Sequence, residues 1–195
     1  VNAAMPYEVP VTLKMRTGWR ADQRNVISLA REAESAGVQM VTVHGRTREQ
    51  GYSGFAEYET IALVKAALTI PVVANGDIDS PQKAKQVLAL TGADAVMIGR
   101  AAQGRPWIFR EINHFLKTGQ HLDAPSWNEI SSILIGHVNE LHQFYGEFTG
   151  VRMARKHVSW YMQTHDQGKL FRSSFNALES TSEQLDALNM YFDKL

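Results

Sequence analysis

Near its start the chain alternates. In Val9 to Thr17 (VPVTLKMRT), Val11, Leu13 and Met15 fall on one face and Thr12, Lys14 and Arg16 on the other. That period of two predicts a strand with one buried side, ended by Gly18-Trp19. From Asp22 to Ala36 the period lengthens to a helix, with Val26, Leu29, Ala30 and Ala33 on one stripe and Gly37 as its stop. Met40 to His44 is the next strand. Its parity puts Met40, Thr42 and His44 on one face, so His44 stands on its strand as Lys14 does on the first. A polar loop, Gly45 to Ala56, carries Arg46, Arg48 and Tyr52, and Glu57 to Leu68 reads as a helix through Ile61, Val64 and Leu68.

The stretch from Ile70 to Phe109 then reads strand, glycine turn, helix, strand, glycine turn, helix. Ile70 to Asn75 is a short apolar run broken at Gly76-Asp77, which suits a strand buried on both faces. Ser80-Pro81 supplies an N-cap and a proline at the first helical position, and Gly92 closes that helix. Ala95 to Ile98 reads as a second buried strand with its exit at Gly99-Arg100. Strands at 10–16, 40–44, 71–75 and 95–99, each followed by a helix, make four βα units. A complete (β/α)₈ barrel needs eight units and about 250 residues. The expected fold is therefore α/β: the C-terminal half of a (β/α)₈ TIM barrel over residues 1–118. Half a barrel leaves unpaired strand edges, through which the piece is expected to self-associate.

After Gly119 the strand pattern stops. Ser126 and Glu129 have capping-box spacing at the head of an amphipathic helix with Ile130, Ile133, Leu134, Val138, Leu141 and Tyr145 inward. Gly146 and Gly150 are expected to bracket a turn. Further helices follow over Val151 to His165 and Lys169 to Leu178, and a last one is capped by Ser180 and Glu183. Residues 119–195 thus read as a small all-helical domain.

Composition narrows the class. Twenty basic residues balance twenty acidic ones, and 44% of the 195 residues are apolar, so net charge points to no partner and a core is affordable. With no cysteine there is no disulfide framework, thiolate metal site or cysteine nucleophile among these residues. No apolar run approaches the roughly 20 residues that span a bilayer, and no signal-peptide pattern stands at the start, so the expected setting is the cytoplasm. Val1-Asn2-Ala3-Ala4 lacks an initiator Met and reads as the middle of something longer.

Basic and imidazole groups gather at the strand exits: Lys14, Arg16, His44, Arg46, Arg48, Arg100 and Arg105. On a barrel that is the face where active sites lie. A lone lysine there is commonly a solvated rim charge; two groups at equivalent inward positions favour a shared anionic ligand. The Gly76 and Gly99 turns place backbone N–H groups at neighbouring strand ends, the usual phosphate site after the last two barrel strands, although each could be a simple tight turn. Asn75 and Asp77 are equally compatible with Asx-turn chemistry. His44 has no second histidine or suitably spaced carboxylate, so no metal is expected. Farther on, Arg152, Arg155, Lys156 and Ser159 share a helix face. Five of the six basic residues after Gly119 lie between Arg152 and Arg172, interleaved with His157, Trp160 and Tyr161. That is either a stripe for a phosphate backbone or a solvated face over core aromatics.

The segments VTLKMRTGW, VTVHGRTREQGYSG, IPVVANGDI, DAVMIGRAAQGRPWIF and ARKHVSWY together resemble the bacterial tRNA-dihydrouridine synthases, the B branch most of all, from about Pro10 to the C-terminus. The resemblance implies an oxidoreductase that uses flavin mononucleotide (FMN), with NADPH as reductant, to reduce the C5–C6 bond of particular uridines in tRNA. It implies flavin contacts from Lys14 and His44, and FMN phosphate contacts from Asn75, Gly76, Asp77, Gly99 and Arg100. Residues 119–195 would bind tRNA through Arg152, Arg155 and Lys156, joined by Arg46 and Arg48 from the loop. The family's catalytic cysteine, which protonates the uracil ring, would lie upstream of these residues. The alternatives are another FMN barrel oxidoreductase acting on a small molecule, or a non-catalytic RNA-binding fragment.

Overall fold

The alternating and apolar runs become four strands: β1 (Thr12–Arg16), β2 (Met40–His44), β3 (Val72–Asn75) and β4 (Ala95–Met97). They pair in sequential order, all parallel. Parallel neighbours need crossover connections, and α1 (Val26–Ser35), α2 (Glu59–Ala67) and α3 (Pro81–Thr91) supply them, with α4 (Ile108–Thr118) following β4. The computed structural model describes Val1, Ala4, residues 8–164 and residues 168–194. It divides into two units, the first of Val1–Ala102 and Trp107–His121, the second of Gln103–Pro106 and Leu122–Leu195.

In the first unit the helices bury one face of the sheet. Val41 and Val43 of β2 and Val72 and Ala74 of β3 lose all solvent against Val26, Ile61, Val64, Ala84, Val87 and Ile108. The register then fixes the opposite face. Arg16, His44, Asn75 and Met97 form one row across the four strands, and Lys14, Thr42, Val73 and Ala95 lie on neighbouring strands before it. α3 begins and ends as its sequence requires: the Ser80 hydroxyl accepts from the Lys83 N–H, Pro81 opens the helix, and Gly92 takes the left-handed conformation that closes it.

β1 is shorter than its alternation, and α1 starts at Val26 rather than Asp22. Residues 20–23 form a turn in which the Gln23 N–H donates to the Arg20 carbonyl. β4 is not the buried strand expected over 95–98. Ala95 is exposed and Val96 and Met97 are half-buried, because among the described residues β4 pairs only with β3.

In the second unit, α5 (Trp127–Tyr161) is two helical limbs meeting at Gly146, whose φ of 71° and ψ of 175° interrupt the helix. A straight helix would hold His137 and His157 about 30 Å apart. Their ring centroids are 4.7 Å apart, so the second limb folds back on the first. The turn expected over Gly146–Gly150 is therefore confined to Gly146, and Gly150 lies inside the second limb. Its role is close approach: a Cβ there would come within 2.9 Å of the His142 Cα. Tyr145, expected to face inward, is instead exposed, because the reversal directly after it carries the chain away from the core. α6 (Gly168–Phe175) and α7 (Thr181–Phe192) complete this unit; the expected helix end at His165 falls outside the described residues. Buried Gln184 of α7 joins both limbs: its Oε1 lies 2.9 Å from the His142 Nε2, and its amide donates to the Val151 carbonyl at 3.1 Å.

At the head of α7 the Ser180 hydroxyl accepts from the Glu183 N–H, and the Glu183 carboxylate accepts from the Ser180 N–H. Ser180→Ala removes half of this reciprocal cap and is expected to lower the unfolding free energy by about 1 kcal/mol in urea titration. An unchanged midpoint would show that α7 is held by packing alone.

Candidate functional site

At the C-terminal ends of the four strands lies a cavity of about 990 Å³. Its walls include Lys14 and Arg16 from β1, His44 from β2, Asn75 from β3, and Gly99 and Arg100 after β4. The two inward rows of the sheet thus deliver the side chains that parity had paired, Lys14 and His44, to one concavity.

The loop after β2 is built around one guanidinium. Arg46 is only 3% exposed. Its Nη1 and Nη2 donate to the two carboxylate oxygens of Asp77 at 2.7 and 2.8 Å, its Nε donates to the Ser53 carbonyl, and Nη2 also donates to the Gly54 carbonyl. A buried bidentate pair of this kind is geometrically specific and strong. Asp77 further accepts the Ala56 N–H at 2.7 Å, so one carboxylate ties the far end of the loop to the turn after β3. Burial acts to raise the Asp77 pKa, but the hydrogen bonds from Arg46 and Ala56 outweigh it and hold the carboxyl below its ordinary value. Arg16 braces the same loop from β1, donating to the Thr47 and Gly51 carbonyls.

These contacts commit two residues of the cavity wall to the loop. Arg46 spends four of its guanidinium N–H donors there. Asp77 presents a carboxylate already held by Arg46, with the exposed Arg100 at 3.8 Å. Gly76 also has an internal reason to be glycine. Its φ is 124°, and a Cβ would lie 2.7 Å from the Ala56 Cβ. Gly99 differs, since a Cβ there would have no neighbour within 4 Å, leaving its backbone open to the cavity. Asn75 is buried and donates its amide to the Met97 carbonyl, locking β3 to β4. Arg48 is exposed, and Arg105 belongs to the second unit.

Sequence reasoning passed over Tyr58, whose hydroxyl donates to the Gly76 carbonyl at 2.8 Å and whose pKa is pushed up to about 12, first by burial and then by Asp77. It also passed over Lys83, which joins the lining from α3 and lies over the Tyr58 ring. Neither carries a motif signal; only the packing of α2 and α3 against the turn brings them in. Around the mouth, Arg100 stacks on the Tyr52 ring with its guanidinium carbon 4.5 Å from the centroid.

His44 is held neutral. Its Nδ1 accepts the Arg46 N–H at 3.1 Å, so the ring proton sits on Nε2, leaving that nitrogen as a donor. Burial, then Arg16, Lys14 and Arg46, push its pKa down to about 4, against an opposing pull from Asp77. Lys14 is lowered too, by burial and by Arg16. The site is thus a cationic cavity with one neutral imidazole donor, which suits an anionic ligand with acceptor atoms.

In the second unit, Arg152 and Lys156 both lie against aromatic rings, Arg152 over Phe148 and Lys156 over Trp160. Arg155 departs from the expected stripe: it is half-buried and donates to the Leu178 carbonyl at 2.7 Å. Among the described residues no cluster of three or more acidic, histidine or cysteine side chains could hold a metal, and no helix is long and apolar enough to cross a membrane.

Two outcomes test this geometry. Arg46→Ala strands a partly buried carboxylate and is expected to cost about 3 kcal/mol of unfolding free energy, whereas exposed Arg48→Ala should change it by less than about 0.5 kcal/mol. A cost below about 1 kcal/mol for Arg46→Ala would remove the pair from its central place. For His44, the folded value near 4 lies below the ordinary 6.5, so the unfolded chain binds the extra proton between them. Its contribution to stability is full above about pH 6.5 and is lost as pH falls toward 4. Ring NMR should show a neutral Nε2–H tautomer at pH 6; a midpoint near 6.5 would contradict the burial argument.

The dihydrouridine synthase (Dus) family model matches residues 1–195. The chain is 59% identical over 195 residues to tRNA-dihydrouridine synthase B of Vibrio cholerae, covering all of this chain and 60% of that protein. It is 58% identical over 185 residues to the protein of the same name in Pseudomonas aeruginosa, covering 95% and 56%, and 57% identical over 195 residues to that of Yersinia pestis, covering 100% and 60%. It therefore spans about 60% of the length of the curated relatives it matches. Among solved structures, mandelate oxidase with (S)-2-phenylpropionate aligns over 98% of this chain and 64% of its own at 14% identity and a TM-score of 0.36, too distant to carry an argument. With the family model matched from end to end, and relatives this similar along its whole length, the chain belongs to the dihydrouridine synthase family.

Proposed function

We propose that this chain is the C-terminal portion of a tRNA-dihydrouridine synthase that uses FMN and NADPH to reduce the C5–C6 bond of uridines in tRNA, acting in the cytoplasm. On this reading residues 1–118 supply the C-terminal half of a (β/α)₈ barrel and residues 119–195 a helical tRNA-binding domain. The outer edges of β1 and β4, each paired on one side only among the described residues, are where the remaining strands would join, from the same chain or from a second copy.

The observation that carries the proposal is the cationic cavity at the ends of four parallel strands, with an open glycine backbone after β4. Its residues fit a flavin phosphate. The volume of about 990 Å³ reaches the upper end of ordinary ligand pockets. Gly99 leaves its peptide approachable, and Arg100 adds a positive charge held in place by Asp77 and Tyr52. When bound, FMN supplies hydride transfer, the step for which no side chain is equipped. Lys14 and Arg16 give the wall its charge, Asn75 fixes the strand ends, and the neutral His44 donates from Nε2. With a pKa near 4, His44 positions a ligand rather than protonating it at neutral pH. The chain contains no cysteine, so the sulfur proton donor that the resemblance implies would come from outside these residues. The target uridine must leave its stack to reach such a cavity.

In the full-length enzyme, Gly99→Val sets a branched side chain where the phosphate would approach, and the purified protein is expected to lose most of its flavin absorbance, while Arg48→Ala retains it. Equal flavin content in the two variants would sink the phosphate assignment.

A further inference from the structure

The reversal at Gly146 makes α5 a helical hairpin, and its tip is apolar where a solvated turn needs no rings. Phe144 and Phe148, on either side of Gly146, are 81% and 74% exposed, and Tyr145 between them is 43% exposed. Large apolar groups clustered in solvent mark an interaction site. None is needed for the core, which Leu134, Val138, Val151, Ala154, Val158, Phe175 and Leu188 fill.

Charge identifies what the tip meets. Phe148, Arg152, Lys156 and Trp160 are spaced four apart and so form one row along the second limb, two adjacent cations with an aromatic ring at each end. The Arg152 guanidinium carbon lies 3.5 Å from the Phe148 ring centroid, while its Nη1 donates to the Phe148 carbonyl. One face of the ring is thereby backed by a cation, while most of the ring stays in solvent. Lys156 lies 5.1 Å from the Trp160 ring centroid. From Phe148 to His165 the sequence has no acidic residue; the nearest before it, Glu147, accepts the Thr181 N–H at 3.4 Å. An uncharged protein or membrane partner would explain the rings but leave this acid-free row of cations without a purpose, and among anionic partners the reading of the substrate as tRNA selects RNA. Unpaired RNA satisfies both, because bases stack on aromatic and guanidinium planes while phosphates pair with the cations beside them.

We propose that the hairpin tip is a nucleobase-stacking platform, on which an unpaired base of the RNA partner stacks against the open face of Phe148 while Arg152 and Lys156 neutralise the adjoining phosphates. The site goes beyond a general basic surface: it grips a single-stranded or loop nucleotide, distinct from the uridine that enters the barrel cavity. It rests on the reading of the partner as tRNA.

The test uses the full-length enzyme and an unmodified tRNA transcript, with affinity measured over a range of salt concentrations. Phe148→Leu keeps the apolar character but loses the ring, and is expected to weaken binding by about five- to a hundred-fold with the salt slope unchanged; Phe148→Tyr should keep the wild-type affinity. Lys156→Ala should instead flatten the slope of log K against log salt by about one. In the Phe148→Trp variant, the fluorescence of the introduced indole should be quenched on adding tRNA, and not on adding a fully paired RNA duplex. If the wild-type enzyme does not bind the transcript at all, the tRNA reading itself fails, and the platform with it. If it binds and Phe148→Leu matches it, or if the duplex quenches the indole reporter equally, the platform is overturned while the tRNA reading stands. A change in self-association of Phe148→Leu by sedimentation, without a change in RNA affinity, would likewise overturn it in favour of a protein contact.

Discussion

The bidentate pair between Arg46 and Asp77 is the interaction on which the cavity depends. A guanidinium buried to 3% exposure cannot lose its proton, so it needs its acceptors fixed in place. It takes them from the turn after β3 and from the carbonyls of Ser53 and Gly54, and Asp77 is tied back to the loop by accepting from Ala56. Two segments with little regular structure of their own are thereby made to hold one conformation at the ends of the strands. The tyrosine at 58 closes the same arrangement from beside α2 through its bond to the Gly76 carbonyl.

The electrostatics of the cavity follow from that choice. Asp77 is neutralised by Arg46, so it does not cancel the cations that face the cavity, and Arg100 is still near enough to be steered by it. The peptide N–H of Arg46 in turn fixes the His44 tautomer, and the surrounding cations keep that ring uncharged. An anion would thus meet positive side chains and one neutral donor, with the carboxylate of Asp77 already satisfied. Organisation of the loop and charge of the site thus rest on the same pair, with Arg46 and Asp77 both part of the cavity wall.

The helical unit solves a different problem. Its two α5 limbs can approach closely because Gly150 has no side chain to place against His142, and Gln184 uses both ends of its amide to hold them to α7. Packing the limbs inward along their apolar stripes carries the tip residues past the end of the core. The aromatic groups at 144, 145 and 148 therefore stand in solvent for a geometric reason, and the cations of the second limb run directly down from them.

Much of this could be read in the chain. Alternation and parity marked the first two strands, short apolar runs the other two, and helical periodicity the first two helices. Ser80-Pro81 and Gly92 marked the limits of α3, and strand parity put Lys14 and His44 on one face, because each of these is a local property of a few consecutive residues. The resemblance carried by the strand-exit motifs named the family. What the sequence could not decide was partnership between distant residues. Arg46 and Arg48 look alike in the HGRTR segment, yet one is buried on Asp77, 31 positions away, and the other is exposed. Arg155 shares a helical face with Arg152 and Lys156, but the segment after α6 offers the Leu178 carbonyl and turns it inward. The apolar run of β4 predicted burial that an edge position denies it. Gly146 and Gly150 are the same residue four places apart, one serving backbone conformation and the other helix contact. Local pattern determines which elements form and which way their side chains point; only packing decides which of those side chains another part of the chain has already claimed.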